Sequence, residues 1–532
     1  MIATGAMAID ADIDGGNRTV MVGETITFYN QGSHGVDTWW YDNGACFSSG
    51  WGDAEADRKF MSVGVHTIQL RVYQNLWSPE EDWDTIYVTV QGNNYPIVLV
   101  HGFAGWGRDE VQLQITSSSS IGIYYWGGGS GDLEKEMNNR GFEVYTASVG
   151  PITSVWDRAC ELYSQVTGDP VNYGAGHAAI HSKNIDGTQY NHAVTGNERP
   201  GIVDPTTKRL KNTKGHVIPR MSTSNPIHLV AHSMGGQTVR MLATLLRSGS
   251  PNAGDQGYLF DGGHSGCIRS ITTLATPNDG TNLTYVVNSL LGLVNNFGVD
   301  LIGAATNQTV TNLLENVYDM DLDQWSNNIL SADISMTKTP EGCSTQPRPA
   351  FYDVSLWDLS PCGAKELNYG RADVNPMVAD PNIYYFAYPT EQTFRSSGGL
   401  LGNENWWYAE TPTRYVTWLG DHKDAGSMLG PFIVFADQMG SPAFTDEWGL
   451  NYDWRENDGV VNTISSGKPS CDQYTTNPAG EKGKWLNLGL LHEDHMDVVG
   501  GFLGVGTEDL NGTNFFDFYE NLFTRLWRLP QF

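Results

Sequence analysis

Over residues 1–92, apolar and polar positions alternate in short runs divided by Gly, Asn and Asp. VMVGETITFYN, VDTWWYDNG, VGVHTIQLRVYQN and WDTIYVTVQG each read as strands. Side chains of an extended chain face opposite ways in turn, and β-branched and aromatic residues suit a half-buried pleated surface. Strands this short and regular predict a small β-sandwich. The pattern changes beyond a hinge at Gly92-Asn93-Asn94. Tyr95–Val100 (YPIVLV) is apolar throughout, as expected of a parallel strand buried on both faces. Further apolar strands (EVYTASV, IHLVAHS, SITTLAT, NIYYFAYP) alternate with helical stretches, which predicts a doubly wound, mostly parallel α/β sheet over 93–532.

Within that second region one strand, beginning at Ile227, runs directly into Ala231-His232-Ser233-Met234-Gly235-Gly236. Val239, Leu242, Leu245 and Leu246 follow at the spacing of one helical face. Strand, tight turn and helix with Ser at the tip describe a nucleophile elbow, which lifts the hydroxyl above the sheet edge. Small neighbours let the two backbones approach; Ala231 stands where the commonest form of the motif has Gly. A serine hydroxyl needs a base within reach and a carboxylate to orient that base. In α/β-hydrolases these follow in the order nucleophile, acid, base. Several acids lie downstream, and Asp458 stands out at a turn beside the apolar Val460-Val461. Leu491–Val498 offers two bases, His492 and His495, and position alone leaves both open.

Charge narrows the partners. Sixty acids against 31 bases give a net charge of −29, which repels a phosphate backbone and excludes nucleic-acid binding as the main function. It also disfavours anionic membranes. No apolar run approaches the ~20 residues of a membrane-spanning helix. None of the six cysteines forms a C-x-x-C pair, so a thioredoxin-like or four-cysteine metal motif is not expected. Cys343 and Cys362, close in a Pro- and Ser-rich stretch, are the best candidates for a disulfide; six thiols are the alternative. The opening MIATGAMAID is not a signal peptide and suits a mature secreted chain, so an extracellular location is expected.

Two resemblances sharpen these expectations. Val22–Phe28 (VGETITF) and Gly64–Val72 resemble PKD-type immunoglobulin-like domains, although Trp39-Trp40-Tyr41-Asp42-Asn43-Gly44 stands near the place of their W-x-F-G-D-G. Such domains are usually spacers or adhesion modules, and exposed Trp would grip an insoluble surface where core Trp would not. From Tyr95 to the C-terminus the chain resembles the thermostable bacterial lipases of family I.5, the Geobacillus type. The likeness is carried by PIVLVHGFAGWGRDE, YYWGG, VGPITSVWDRACELY, AHSMGGQT, ATPNDGT, VYDMDLDQW, ENDGVVNT and DHMDVVG. It implies an α/β-hydrolase fold with Ser233 as nucleophile, Asp458 as acid and His495 as base, leaving His492 a structural neighbour. It implies an oxyanion hole made by the backbone N–H groups of Phe103 and Met234. It also implies a mobile helical lid around 283–318.

The same resemblance implies a structural zinc held by two Asp and two His. Asp157, His177 and Asp353 match the family pattern. For the fourth ligand Lys183 falls in place without a gap, but an ammonium cannot ligate zinc at neutral pH. His192 matches once nine residues are inserted within 178–191, and His181, four residues after His177, is the competitor. A calcium site is implied at Asp497, where the following GGFLGVGTEDL departs from the family; Glu508 and Asp509 are possible substitutes. The function expected is a secreted serine carboxylic-ester hydrolase, first a triacylglycerol lipase acting on lipid at an interface. Polyester (polyhydroxybutyrate) depolymerisation is the alternative, since some such enzymes carry A-H-S-M-G at the elbow. A non-catalytic binding protein on a hydrolase scaffold is the second alternative.

Overall fold

The alternating runs of the N-terminal region fold into strands β1 (Arg18–Met21), β2 (Thr25–Tyr29), β3 (Asp37–Asp42), β4 (Ala45–Trp51), β5 (Glu55–Lys59), β6 (Gly64–Tyr73) and β7 (Glu81–Gln91). They are seen in a computed structural model that describes residues 9–33, 36–51, 54–73, 81–116, 119–182, 192–197, 202–286, 352–395, 406–410, 428, 430–447, 449–501, 507 and 509–531. Five strands form one sheet in the order β1-β7-β6-β3-β4, and β2 pairs with β5. β1 runs parallel to β7, while the other pairings are antiparallel. The alternation sorts the aromatics. Trp40, Phe28 and Phe60 are fully buried, with the Phe28 ring centroid 6.1 Å from Trp40 and 6.3 Å from Phe60. Trp51 and Trp83 face solvent.

The chain divides into two compact units, one of residues up to Tyr95 together with Glu520–Phe532, the other Pro96–Tyr519. The linear boundary drawn at residue 92/93 thus leaves a C-terminal segment on the other side. Asn93, read above as part of a hinge, is instead fully buried. Its side-chain amide donates to the carbonyls of Leu526 (3.0 Å) and Leu529 (2.9 Å), and its backbone N–H donates to Trp527 C=O (2.6 Å). A buried amide with satisfied donors is a fixed point, since breaking it strands polar groups away from water.

In the second unit the continuous apolar runs make a six-stranded, wholly parallel sheet. Its elements, with two short ribbons, are β8 (Ile97–Val100), the pair β9 (Gln112–Thr116) and β10 (Ser119–Gly122), β11 (Val144–Thr146), β12 (Ile227–His232), β13 (Ile268–Leu274), β14 (Tyr384–Tyr388), the pair β15 (Thr393–Arg395) and β16 (Trp407–Ala409), and β17 (Trp485–Asn487). The order across the sheet is β11-β8-β12-β13-β14-β17, so β8 and β12 lie side by side and bring their C-terminal ends together. In open parallel sheets such ends are where functional loops gather. Three helices matter below: α2 (Val155–Thr167), α3 (Ala175–His181) and α4 (Met234–Ser248), which follow α1 (Leu133–Asn139). Helix α2 is buried along its whole length. Its first turn is capped by Ser154 Oγ, which accepts from Asp157 N–H at 3.2 Å, and it stops at Gly168, whose φ of 81° is costly for other residues.

Two sequence expectations meet the limits of the described residues here. Cys362 is disulfide-bonded, and Cys46, Cys160, Cys267 and Cys471 are free; the expected partner, Cys343, lies outside the described residues. So does the 283–318 lid from residue 287 onward. Among the described residues no helix is long and apolar enough to cross a membrane.

One buried group on the central sheet predicts an acid response. His228 on β12 bonds Ser270 Oγ at 2.7 Å, and burial, helped by Arg269, pushes it down to about 3. Above the ordinary histidine range folded and unfolded chains both leave it neutral. As pH falls from about 6.5 towards 3 only the unfolded chain gains this proton, so stability is progressively lost, by about 1.4 kcal/mol per pH unit at most. Thermal melting between pH 7 and pH 4 should therefore show a falling midpoint, with a shallower slope in His228→Gln. Equal slopes would mean that His228 is not the group responsible.

Candidate active site and metal centre

Ser233 sits where β12 ends and α4 begins, with φ 54° and ψ −132°. That conformation is strained for any residue with a Cβ, by about 1–3 kcal/mol, and persists only where the surroundings enforce it. Here they do: Ser233 N–H donates to Leu274 C=O at 2.9 Å and its own carbonyl accepts from Gly236 N–H at 3.0 Å. Gly235 shows why small residues surround the turn, because a Cβ there would meet Val100 C=O at 2.4 Å. Ala231 is fully buried and fits its place.

Beyond the sheet, Asp458 and His495 come together. His495 Nδ1 lies 2.9 Å from Asp458 Oδ2, and both side chains are buried. The carboxylate is held by four donors or partners rather than by a cation. Thr390 Oγ1 donates to Oδ2 at 2.6 Å, and the N–H groups of Val460 and Val461 donate to Oδ1 at 2.9 and 2.7 Å. His495 N–H also donates to Asp458 C=O at 3.1 Å, so the two residues are joined through main chain as well. The ring of His232, the residue before Ser233, lies 4.6 Å from the His495 ring. His492 points elsewhere: its Nδ1 is 2.8 Å from Glu391 and half-exposed.

The β8 turn lies directly against the serine. A Cβ on Gly102 would meet Ser233 Cβ at 2.6 Å and Oγ at 3.1 Å, so only Gly fits. Among the described residues the N–H groups of Phe103 and Met234 find no acceptor, the second because the first turn of a helix has none to offer. Phe103 itself is 41% exposed. The turn is clamped by Arg158 of α2, which is fully buried and donates to the carbonyls of His101 (2.5 Å) and Gly150 and, through Nε, to Thr238 of α4 (2.8 Å). Its partners come from three separate segments, so no local pattern reveals this clamp. His101 fills a shaping role: its Nε2 accepts from Val149 N–H at 3.1 Å and its Nδ1 lies 2.9 Å from Gly102 C=O.

A second cluster forms where α2 and α3 meet the segment around residue 353. Asp157, His177, His192 and Asp353 are all buried, and one ligand atom from each lies within 4.8 Å of the others. His177 Nε2 is 3.3 Å from Asp353 Oδ2 and 3.6 Å from Asp157 Oδ1; His192 Nε2 is 3.5 and 3.4 Å from the same atoms. A tetrahedral ion with bonds of about 2.0–2.1 Å separates its ligands by about 3.3 Å, so the spacing fits. The polar bookkeeping fits too: Asp157 Oδ1, both Asp353 oxygens and both His177 nitrogens are buried without a hydrogen-bond partner. Such orphans cost too much to be left for nothing. His192 Nδ1 donates to Ala193 C=O at 2.6 Å, which leaves Nε2 with its lone pair facing the cluster. Burial works against charge on His177, yet Asp353 and Asp157 push it up to about 10, a pull on a proton that a bound cation would displace. This buried cluster is therefore able to hold a metal ion.

His181 stands outside the four. Its Nδ1 is 3.8 Å from Asp353 Oδ2, while its Nε2 pairs with Asp373 at 3.1 Å, and Asp373 in turn pairs with buried Arg371 at 3.0 Å. Neither Arg371 nor Asp373 was singled out by sequence. At Asp497 one carboxylate oxygen accepts from Thr507 Oγ1 at 2.9 Å and the other from Asp494 N–H at 3.3 Å. Glu508 lies outside the described residues. Among the described residues the Asp157–His177–His192–Asp353 group alone has metal-ligand spacing.

The family model for the lipase-like C-terminal domain matches residues 93–203 and 205–406, and the chain belongs to that family. Among solved structures it is similar to EstA from Clostridium botulinum, at 31% identity and a TM-score of 0.56 over 83% of this chain and 89% of that one. It is also similar to lipase 1 from Pelosinus fermentans, at 32% identity and a TM-score of 0.53 over 82% of this chain and 99% of that one. A lipase of Staphylococcus epidermidis is 30% identical over 423 residues, 77% of this chain. The chain spans about half the length of the curated relatives it matches.

Proposed function

We propose that the chain is a secreted serine carboxylic-ester hydrolase with an α/β-hydrolase fold, acting first on long-chain acylglycerols. The observation that carries the reading is Ser233, strained at the strand–helix tip, with the bonded Asp458–His495 pair following in chain order. Ser233 Oγ attacks the ester carbonyl as His495 takes its proton, and Asp458 stabilises the imidazolium that forms. The free N–H groups of Phe103 and Met234 receive the negative charge developing on the carbonyl oxygen, where losing one donor typically costs ~10²–10³ in rate. His495 returns the proton to the leaving alcohol, then activates the water that hydrolyses the acyl-enzyme.

The buried Asp/His cluster holds a structural zinc in this reading. Two imidazoles and two carboxylates close a tetrahedron and leave no open position for substrate. Calcium at Asp497 is the weaker part of the proposal, supported by the neighbouring acids alone. The N-terminal β-rich unit is proposed as a PKD-like accessory module. Export is supported by the disulfide at Cys362, since such bonds persist in oxidising compartments. A triolein titration run beside a polyhydroxybutyrate turbidity assay tests the substrate. Fatty-acid release from triolein with an unchanged polymer suspension is expected; clearing of the polymer without triolein turnover would replace lipase with polyester depolymerase.

A further inference from the structure

Two buried groups of the second unit take no part in the chemistry just proposed, although both lie against it: Tyr125, in the YYWGG stretch, and His232, immediately before the nucleophile. Tyr125 is 4% exposed and His232 is fully buried. Gly102 N–H donates to Tyr125 Oη at 2.9 Å. Tyr125 Oη and His232 Nδ1 are 2.6 Å apart, and His232 Nε2 is 2.9 Å from the carbonyl oxygen of His495. The two ends of this chain have fixed polarity, because an amide N–H only donates and a carbonyl only accepts. The interior then has a single consistent arrangement. Nε2 must carry hydrogen to serve His495 C=O. In a neutral ring Nδ1 is then the acceptor, so Tyr125 donates to it while accepting from Gly102. A protonated ring would make Tyr125 accept twice and would take away the acceptor for its own buried O–H. Burial, with His495 close by, also holds His232 well below the ordinary histidine range, in keeping with a neutral ring.

We propose that Tyr125 and His232 are positioning residues, a one-directional hydrogen-bonded strut that fixes the distance between the oxyanion turn at Gly102 and the main chain of His495. The strut rests on the assignment of Ser233 and His495 made above. Its two ends are the parts that must be held apart by the right amount. Gly102 lies against Ser233 and precedes the Phe103 donor, while His495 carries the base. It also settles which amide of the turn is spare: Gly102 N–H is committed to Tyr125, which leaves Phe103 N–H for the substrate oxygen. The connection spans 107 residues between Tyr125 and His232 and 263 between His232 and His495, so it ties together three segments that are far apart along the chain. Misplacement of reacting groups by about 1 Å is worth roughly 10²-fold in rate.

The test uses steady-state hydrolysis of a soluble p-nitrophenyl ester by the full chain. Tyr125→Phe keeps the ring and deletes only the hydroxyl. His232→Leu removes both ring nitrogens, and His232→Gln restores one acceptor and one donor on a planar group. Tyr125→Phe and His232→Leu should each lower kcat by about 10–100-fold with KM within about twofold, and the double variant should be no worse than the poorer single one. His232→Gln should recover most of the loss. If His232→Leu fails to fold, the near-isosteric Tyr125→Phe and the Gln variant carry the measurement. The proposal is overturned by wild-type kcat in Tyr125→Phe, by KM and kcat moving together, or by Gln behaving no better than Leu. Ser233→Ala run in parallel separates the two readings: full turnover there would unseat the catalytic assignment itself, whereas an inert Ser233→Ala beside a fully active Tyr125→Phe removes only the strut.

Discussion

Ser233→Ala is expected to lower p-nitrophenyl ester turnover by about a million-fold, to the rate left when only binding and oxyanion contacts remain. The size follows from what the substitution deletes. Without Oγ no acyl-enzyme forms, and the Asp458–His495 pair, still bonded at 2.9 Å, has no proton to accept from a nucleophile. The fold should not suffer, because Ser233 makes its bonds through main chain and a methyl fits where a buried hydroxymethyl stood. The strained φ of 54° is common to Ser and Ala, so no strain is relieved either. Purified variant and parent, matched for thermal midpoint and assayed with an active-site titrant, decide the matter. Parent-like turnover in the variant would move the nucleophile elsewhere.

The second large effect is on stability. Stripping metal with a strong chelator at neutral pH should lower the thermal midpoint by roughly 3–6 °C, and His192→Ala should lose the stoichiometric metal. With no cation between them, two fully buried carboxylates are left facing each other across two imidazoles. Removing one partner of a buried charge set typically costs about 3–5 kcal/mol, and here the loss leaves several atoms without any hydrogen bond. Elemental analysis and melting of parent, chelated protein, His192→Ala and His181→Ala check this. Equal metal in parent and His192→Ala, with loss in His181→Ala, would transfer the fourth ligand to His181, whose Nε2 is engaged with Asp373. An unchanged midpoint on complete removal of metal would end the structural role.

Much of this is legible in the sequence. Apolar runs without alternation foretold a parallel sheet because such strands are covered on both faces. The elbow could be read because strand, Ser and helix are contiguous, and local sequence reports local geometry well. His492 and His495 could not be separated on position alone, since the difference lies in which ring reaches a loop 37 residues away. The metal cluster draws on segments near 157, 177, 192 and 353, and only family resemblance connects spacings of that length. Nothing in the sequence points to Arg158 as the clamp on the His101–Gly102 turn, to Arg371 beside Asp373, or to Tyr125 and His232 as linked. These depend on side chains meeting across the fold, where a buried Arg or His reads in sequence like any other polar residue in an apolar stretch. The burial of Asn93 was hidden for the same reason, its partners lying 433 and 436 residues away.

The segment from Glu520 onward leaves the ribosome after the whole of Pro96–Tyr519 has been made. The strands of the smaller unit are translated before that insertion, yet the carbonyls that satisfy Asn93 arrive after it. The larger unit is in effect an insertion within the smaller one, and has the opportunity to fold while its host still lacks the segment from Glu520 onward.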